Sequence, residues 1–396
     1  MIYINFEVVK IEIYDHKKNC YGCAACSNIC TSEAITMLAD EEGFLYPKVN
    51  EALCISCGRC KTVCPIYQKS CDDNTFNQKV YAVKHPCDNV RAASTSGGVF
   101  TALSDYILKN GGVVYGAAFD EALTVSHIRA ETMDRRDKMR GSKYVQSEIK
   151  NSFRSIKADL ALNKLVLFTG TPCQNAGLYG YLRGTDVTKL ILCDIVCHGV
   201  PSALMWQEYI TFVKEEQKAQ IKYHSFRVKV KGWHTMCSCN EYESGKKDYQ
   251  SMLSQLNMNL FLSDLILRPS CYSCRFSSFK RCTDITIADF WGIERTQPEF
   301  DDNKGVSLVL VNTEKGNNLF DQLKQSLIIK ESTKADCLQR NLETPAPLPP
   351  SREAFWKDYH NFGYRYAAKR YGGYTIDKRI RQSLQNYKQL LKNILN

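Results

Sequence analysis

The sequence contains no apolar run as long as a membrane-spanning helix. Its longest apolar runs, such as residues 189–197, have the length of a β-strand, whereas a transmembrane helix needs about 20 apolar residues in succession. The first residues include acidic side chains and lack the apolar core of a secretory signal peptide. No nucleic-acid recognition motif accompanies the basic residues. We therefore expect a cytoplasmic protein with no membrane span and no nucleic-acid partner.

Internal repeats are also missing, apart from two matching runs of cysteine. With 396 residues, of which 44% are hydrophobic and 24% are charged, the composition is typical of a globular protein with two or three domains. The chain has 19 cysteines, but without a signal peptide these do not indicate a disulfide framework.

Eight of the cysteines form the two matching runs, each with the spacing C-x2-C-x2-C-x3-C. In this spacing three cysteines of a run hold one 4Fe-4S cluster and the fourth crosses to the other cluster. The predicted ligands of the first cluster are Cys20, Cys23, Cys26 and Cys64. Those of the second cluster are Cys54, Cys57, Cys60 and Cys30. A structural zinc site needs only four ligands and does not explain the duplication.

The other cysteines include several that follow predicted strands. Cys271 and Cys274 form a CxxC pair with Cys282 eight residues later, Cys197 follows a predicted strand, and Cys173 precedes a predicted helix. Together they favour a third metal or cluster site, although buried cysteines also serve as small apolar residues. At a helix N-terminus, Cys173 has two further interpretations, a redox thiol or a covalent catalyst with a lowered pKa.

Glycines and hydroxyl residues mark a candidate phosphate site at Ser94–Gly98, before a helix predicted for residues 97–110. Ser96, Gly97 and Gly98 leave backbone N–H groups free to bind a phosphate. Ordinary serine capping uses the same residue types. Beside iron–sulfur clusters, a dinucleotide such as FAD is the favoured ligand, since a flavin converts single electrons into two-electron chemistry.

Three further residues are candidates for binding or proton transfer. In the segment GSKYVQS, Lys143 is suited to holding a phosphate or shifting a flavin potential, and Tyr144 to stacking or hydrogen bonding, although a surface turn explains the segment as well. His198 follows Cys197 and is a candidate acid, because imidazole titrates near neutrality. A hydrogen-bonding neighbour of a ligand is the other interpretation of His198.

The predicted fold class is α+β, with a dicluster ferredoxin-like domain at residues 1–70 fused to a mixed α/β flavin-binding domain at residues 71–345. In the first domain, residues 33–47 are predicted as a short helix, a turn and an extended return. In the second, strand-like and helix-like segments alternate. Residues 346–396 are predicted to form a basic, largely helical tail that ends in a helix over 377–395.

Basic residues are in excess, with a formal net charge of +10. Two oxidised clusters with their thiolates lower this to about +6. Much of the remaining excess lies in the tail, in Arg365, Lys369, Arg370, Lys378, Arg379, Arg381, Lys388 and Lys392. This excess is either a solvated helix surface or a docking face for an acidic electron carrier such as ferredoxin or flavodoxin.

Taken together, the motifs resemble one family, the beta subunit of coenzyme F420 hydrogenase/dehydrogenase, in a form with a fused dicluster ferredoxin domain. The matching segments, in order, are STSGGVFTAL, GSKYVQS, FTGTPCQNAGL, VCHGVPS, LRPSCYSC and TDITIADFWGI. The resemblance implies FAD at the centre of the α/β domain, with Ser96, Gly97, Gly98 and Lys143 near it. It also implies a third 4Fe-4S cluster on Cys173, Cys197, Cys271 and Cys274, with Cys282 ranked behind Cys173 as fourth ligand.

The expected activity is that of an FAD- and 4Fe-4S-dependent oxidoreductase. Electrons would pass from the ferredoxin-type clusters to FAD and on to a small organic acceptor, either a deazaflavin or another conjugated substrate. His198 or Tyr144 would supply a proton. The alternative is a non-catalytic electron-transfer subunit that connects a ferredoxin to a separate catalytic partner.

Overall fold

The computed structural model describes residues 12–68 and 75–375. Its strands are β1 (Ile35–Ala39), β2 (Leu45–Val49), β3 (Lys79–Lys84), β4 (Val113–Phe119), β5 (Val125–Ala130), β6 (Val166–Gly170), β7 (Leu190–Ile195), β8 (Ile221–Ser225), β9 (Cys239–Tyr242), β10 (Lys247–Tyr249), β11 (Ile285–Asp289), β12 (Ser307–Val311) and β13 (Ile328–Ser332). Its α-helices are α1 (Ala25–Ile29), α2 (Arg59–Thr62), α3 (Asp88–Ala92), α4 (Val99–Lys109), α5 (Met133–Asp137), α6 (Ser152–Ala161), α7 (Pro172–Tyr181), α8 (Ala203–Gln217), α9 (Met252–Leu262), α10 (Ile293–Thr296), α11 (Glu314–Leu323) and α12 (Arg352–Arg370). No helix in these described ranges is long and apolar enough to cross a membrane.

The cysteine-rich N-terminal segment contains a hairpin where the sequence predicts a short helix. Strands β1 and β2 pair antiparallel, with Ile35 opposite Val49. The turn is held by Asp40, whose Oδ1 accepts hydrogen bonds from the backbone N–H groups of Glu42 and Phe44 at 3.1 and 2.9 Å. The helix prediction for 33–47 is therefore wrong, because pairing with β2 overrides the helix propensity of a short segment.

The larger part of the chain is built on an eight-stranded mixed sheet. Its strand order is β13-β3-β12-β11-β7-β6-β4-β5. The four neighbours β4, β6, β7 and β11 run parallel, and the strands added outside them include antiparallel pairs. A smaller antiparallel sheet contains β8, β9 and β10. A mixed α/β structure behind a ferredoxin-like segment agrees with the predicted fold class.

Most predicted elements of this domain coincide with observed ones. The apolar runs at 165–169 and 190–196 form β6 and β7, and the helix predicted after the glycine motif is α4. The helix predicted at 256–267 begins and ends earlier, as α9. Strand prediction succeeds here because buried parallel strands are short apolar runs bounded by turns.

The N-terminal hairpin packs directly on the larger domain. A Cβ on Gly43, which has φ +80°, would lie 2.2 Å from Cβ of Leu204, so the turn touches the first residues of α8. The Glu42 carboxylate accepts from Arg352 Nη1 at 2.8 Å and also pairs with Nη2. These contacts hold the cysteine runs against the sheet domain.

The segment predicted as a basic tail begins by packing into the protein. Phe355 and Trp356 of α12 are buried in one apolar cluster with Trp206 of α8. The exposed Arg365 pairs with Glu215 and Glu216, and Arg370 pairs with Asp358. These intrachain ion pairs agree with the solvated-surface interpretation for this part of the tail. The helix predicted at 377–395 lies outside the described residues.

Candidate functional site

The cysteines of the first predicted cluster come together at the base of the hairpin. Cys20, Cys23, Cys26 and Cys64 are each 7 to 8% exposed. Burial, and after it the nearby thiol of Cys64, raises the pKa of Cys23, and Cys23, Cys20 and Cys64 act in the same way on Cys26. The fourth cysteine of the second run thus lies with the first run, as the crossed ligand pattern requires.

The second predicted cluster lies closer to solvent. Cys54 and Cys57 act on the pKa of Cys60, which burial raises. Cys57 is exposed, and Cys54 and Cys30 are half-buried. Because solvent exposure is greatest here, this group is the one that an external electron carrier reaches most directly.

Four other cysteines line one small cavity. Cys173 lies in the first turn of α7, Cys197 follows β7, and Cys271 and Cys274 lie in and after a 3-10 turn at Pro269–Ser273. Tyr21, from the first cysteine run, lines the same cavity. The structure therefore brings together the four cysteines that the sequence assigns to a third site.

The spacing of these sulfur atoms does not fit a single zinc ion. Zinc–sulfur bonds of about 2.3 Å place tetrahedral ligands about 3.8 Å apart. In the described part of the chain, only His234, Glu294 and Asp301 form a group of three or more potential ligand atoms within 4.8 Å of one another. Four thiols around one cavity at wider spacing fit a group of several atoms. Thiolates are also the donors that iron–sulfur clusters take.

Cys282 lies elsewhere, in a surface cleft lined also by Arg281 and Asp284, and it is disulfide-bonded. Cys173, the competing fourth ligand, lines the cysteine cavity. Burial raises the pKa of Cys173 to about 11 and outweighs its position at the helix N-terminus. The nucleophile interpretation, which requires a lowered pKa, is therefore wrong for the free thiol.

A larger cavity of about 390 Å³ adjoins the cysteine cavity. It lies at the carboxyl ends of parallel strands, where open α/β sheets bind ligands, and is lined by the last residues of β6, β7 and β11. Cys197, His198, Gly199 and Val200 line both cavities. At another end it joins a recess of about 290 Å³, with which it shares Ser94, Thr95, Arg140, Gly141, Ser142, Lys143 and Arg227.

The glycine motif forms part of the wall of the larger cavity. Gly98, with φ +96°, is the N-cap of α4, and no side chain caps this helix. The N–H groups of Val99 and Phe100, in the first turn, have no intrahelical acceptor, and both residues line the cavity. Ser96 also lines it, but its hydroxyl donates to the backbone oxygen of Val306 at 2.7 Å.

Gly97 packs against the sheet instead of lining the cavity. A Cβ at this position would lie 2.3 Å from the backbone oxygen of Val83 and 2.6 Å from the nitrogen of Ser307. Its own N–H donates to Ser307 Oγ at 2.9 Å. Gly97 is thus required for the close approach of the loop to β3 and β12.

The segment GSKYVQS lies beside the glycine motif across the cavity. The N–H of Ser142 donates to Thr95 Oγ1 at 2.8 Å, which joins the two motifs. Lys143 lines the cavity, donates to the backbone oxygens of Lys138 and Arg140, and has its pKa lowered to about 7 by burial. Tyr144 stacks on Phe261 with ring centroids 4.7 Å apart, and burial raises the pKa of its phenol.

His198 lies between the two cavities with both ring nitrogens engaged. Nε2 is 2.5 Å from Oδ1 of Asp264, and Nδ1 is 3.3 Å from the side-chain nitrogen of Asn341. A carboxylate that orients the ring is typical of a histidine that supports a ligand site. The geometry therefore favours the hydrogen-bonding interpretation over that of a free proton donor.

Sequence reasoning missed a polar network between the cavity and Cys173. His127 contacts the backbone oxygen of Thr169 at 2.9 Å and Ser147 Oγ at 3.0 Å, and burial lowers its pKa to about 4. Gln174 donates to Ser147, and Thr171 Oγ1 is 3.2 Å from Cys173 Sγ. Two of these residues stand inside the GTPCQ motif, which could have identified them; His127 has no such signal.

These features define the class of the protein, an iron–sulfur protein in which a dicluster ferredoxin domain precedes a mixed α/β domain of the oxidoreductase kind. Residues 163–336 belong to the family defined by the C-terminal part of the beta chain of coenzyme F420 hydrogenase/dehydrogenase, and residues 19–67 match the 4Fe-4S dicluster domain. The family resemblance found from the motifs is therefore confirmed.

Other comparisons are more distant. A chain in the xenon-derivatised structure of the F420-reducing NiFe hydrogenase complex from Methanosarcina barkeri is 16% identical, with a TM-score of 0.45. The match covers 74% of this chain and 90% of that one. No curated protein matches the chain.

Proposed function

We propose that the protein is an iron–sulfur flavoprotein oxidoreductase that passes electrons from its ferredoxin-type clusters, through a third cluster, to FAD and an organic acceptor. The observation that carries the proposal is the shared wall of the two cavities. Cys197 lines both the four-cysteine cavity and the larger cavity at the carboxyl edge of the sheet.

The order of the redox groups is supported by exposure and contacts. The second cluster site has the most exposed cysteines, and the first is buried behind it. Cys23 of the first site lies against α7, where a Cβ on Gly177 would be 2.8 Å from its Sγ. Cys173 lies four residues earlier on the same helix and hence on the same face. The groups therefore form a series from the surface to the larger cavity.

The larger cavity fits FAD in volume and in the chemistry of its walls. Its volume is within the range of about 300–1,000 Å³ that is usual for ligand sites. The uncapped N-terminus of α4 offers N–H groups to a phosphate, and Lys143 and Arg140 are nearby cations. We place the phosphates at this end and the ring system at the end formed by Cys197 and His198.

When bound, FAD would supply the exchange between single electrons and electron pairs. The residues of the chain would bind and orient it. Tyr144 is a neutral phenol at the cavity wall, since burial raises its pKa, and it can donate a hydrogen bond or a proton there. Asp264 would hold the ring of His198 beside the cluster ligand Cys197.

The test of this function is turnover by the isolated chain. The protein, purified without oxygen, is reduced with dithionite and mixed with a deazaflavin and with other conjugated acceptors. Two-electron reduction of an acceptor, followed by its absorbance, is expected. Absence of reduction of every acceptor by protein that contains both iron and flavin would contradict the proposal.

A second candidate is a subunit that connects an electron carrier to a separate catalytic protein. The observation in its favour is that the matching family consists of beta subunits. Stable co-purification with a partner, and turnover only in its presence, would favour this alternative.

A further inference from the structure

One buried arginine joins the two halves of the electron-transfer site. Arg268 precedes Pro269 and the CxxC pair, and it is 0% exposed. Its Nε donates to the backbone oxygen of Cys20 at 2.8 Å, and its Nη2 is 3.6 Å from Cys20 Sγ. The guanidinium thus contacts a ligand of the first cluster, while its backbone belongs to the loop that carries Cys271 and Cys274.

The other partners of this guanidinium are neutral. Nη1 donates to Gln146 Oε1 and Nη2 to the backbone oxygen of Leu45, both at 3.0 Å. The group also lies over the ring of Tyr46, 4.2 Å from its centroid. No ion pair joins Arg268 to a carboxylate within residues 12–68 and 75–375. Because an unpaired buried charge is costly, its counter-charge has to be the thiolate-bound first cluster.

The first cysteine run is shaped to admit this side chain. Gly22, between Cys20 and Cys23, has φ +66°. A Cβ at this position would lie 2.6 Å from Nη1 of Arg268 and 2.9 Å from Nε2 of Gln146. The contact between the run and the arginine therefore depends on a glycine within the run.

We propose that Arg268 is a positioning residue that raises the reduction potential of the first ferredoxin-type cluster and thereby directs electrons inward from the exposed second cluster. One-electron reduction by a carrier of the ferredoxin class adds one negative charge to the cluster, and no bond forms or breaks. A fixed positive charge beside Cys20 stabilises the reduced form more than the oxidised form, since charges interact strongly in a buried, low-dielectric site. The proposal requires the first cluster, and it depends on neither the flavin nor an acceptor.

The test is a redox titration of the full chain, purified without oxygen and followed by electron paramagnetic resonance. Arg268→Gln is expected to lower the midpoint potential of the first cluster and leave the second unchanged, at unaltered iron content. The control is Arg154→Gln, since Arg154 donates to the backbone oxygen of Cys30 at 3.0 Å but contacts no cluster sulfur. Unchanged potentials in Arg268→Gln, or an equal shift in the control, would overturn the proposal.

Arg268→Lys keeps the test decisive if the glutamine variant loses iron. A lysine variant that retains full iron would support the proposal, because it keeps the charge and loses the fork of donors. Loss of iron from both variants would contradict it, since Arg268 would then be required for packing and not for its charge.

Discussion

Individual residues beside the cysteines make room for the proposed clusters and neutralise their charge. Gly177 lies against Cys23, and a Cβ on Gly199 would lie 3.3 Å from Cβ of Cys271. N–H groups also reach the sulfurs: the N–H of Val200 donates to Cys271 Sγ at 3.4 Å. Such donors and close backbone contacts tune cluster potentials.

Removal of one proposed ligand tests the third cluster at the residue scale. Cys197→Ala is expected to lose one cluster of three, and hence about a third of the iron, because three remaining thiolates do not complete the usual set of four ligands. Iron and sulfide per chain are measured after purification without oxygen.

The matched control is Cys193→Ala, four residues earlier. Cys193 is 0% exposed and packs in the apolar core under the sheet, away from the cysteine cavity. This variant should keep all of its iron. Equal iron content in the two variants would remove Cys197 from the ligand set.

Lys143 gives a prediction for pH. Burial lowers its pKa to about 7, so its positive charge is lost as the pH rises through that value. A bound phosphate favours the protonated form, so affinity for FAD should increase as the pH falls from about 9 to about 6. Each unit by which the phosphate raises this pKa accounts for about tenfold in affinity.

The dependence is measured by titrating flavin-free protein with FAD at each pH. In Lys143→Gln it should disappear. Lys138→Gln, which changes an exposed lysine five residues earlier, should retain it. An unchanged pH dependence in Lys143→Gln would show that this ammonium does not face the phosphates.

At the scale of elements, strand ends position the site. β6, β7 and β11 end at the same edge of the sheet, which places Cys173, Cys197 and the glycine motif around adjoining cavities. The β1–β2 hairpin adds the N-terminal cysteines from outside and is held through its turn. The contact between this turn and α12 is therefore as important to the electron path as the sheet itself.

This contact gives a prediction for stability. Glu42 and Arg352 form a pair of hydrogen bonds, with side chains 14% and 13% exposed. Arg352→Ala leaves the carboxylate buried without a partner and should lower the free energy of unfolding by about 3 kcal/mol.

The comparison is Arg365→Ala, which breaks an exposed ion pair and should cost about 0–1 kcal/mol. Denaturation by urea, followed by circular dichroism, measures both variants. Equal losses would show that the hairpin does not depend on Arg352 for its attachment.

The elements also show what sequence reasoning reaches. The strands of the main sheet were predictable because each is a short apolar run with turns on both sides. The hairpin at residues 35–49 was not, since Ala, Met and Leu in β1 are helix formers and only pairing with β2 decides its conformation. Contacts such as Arg268 with Cys20 join residues 248 positions apart, and no local spacing reports them.

At the scale of the whole molecule, the motifs that the sequence separates form one series of sites. The exposed second cluster site leads to the buried first one, α7 leads on to the four-cysteine cavity, and Cys197 opens on the larger cavity. The cysteine motifs were sufficient to predict this grouping. The order of the sites and the role of Arg268 depend on the docking of the two domains, which the motifs do not encode.

The central claim is that one chain holds three 4Fe-4S clusters and one FAD. Its most direct test is the amount of iron, sulfide and flavin per chain in protein purified and reconstituted without oxygen. We predict four iron atoms for each of three clusters and one FAD. Iron for two clusters only, with no flavin bound after reconstitution, would contradict the account.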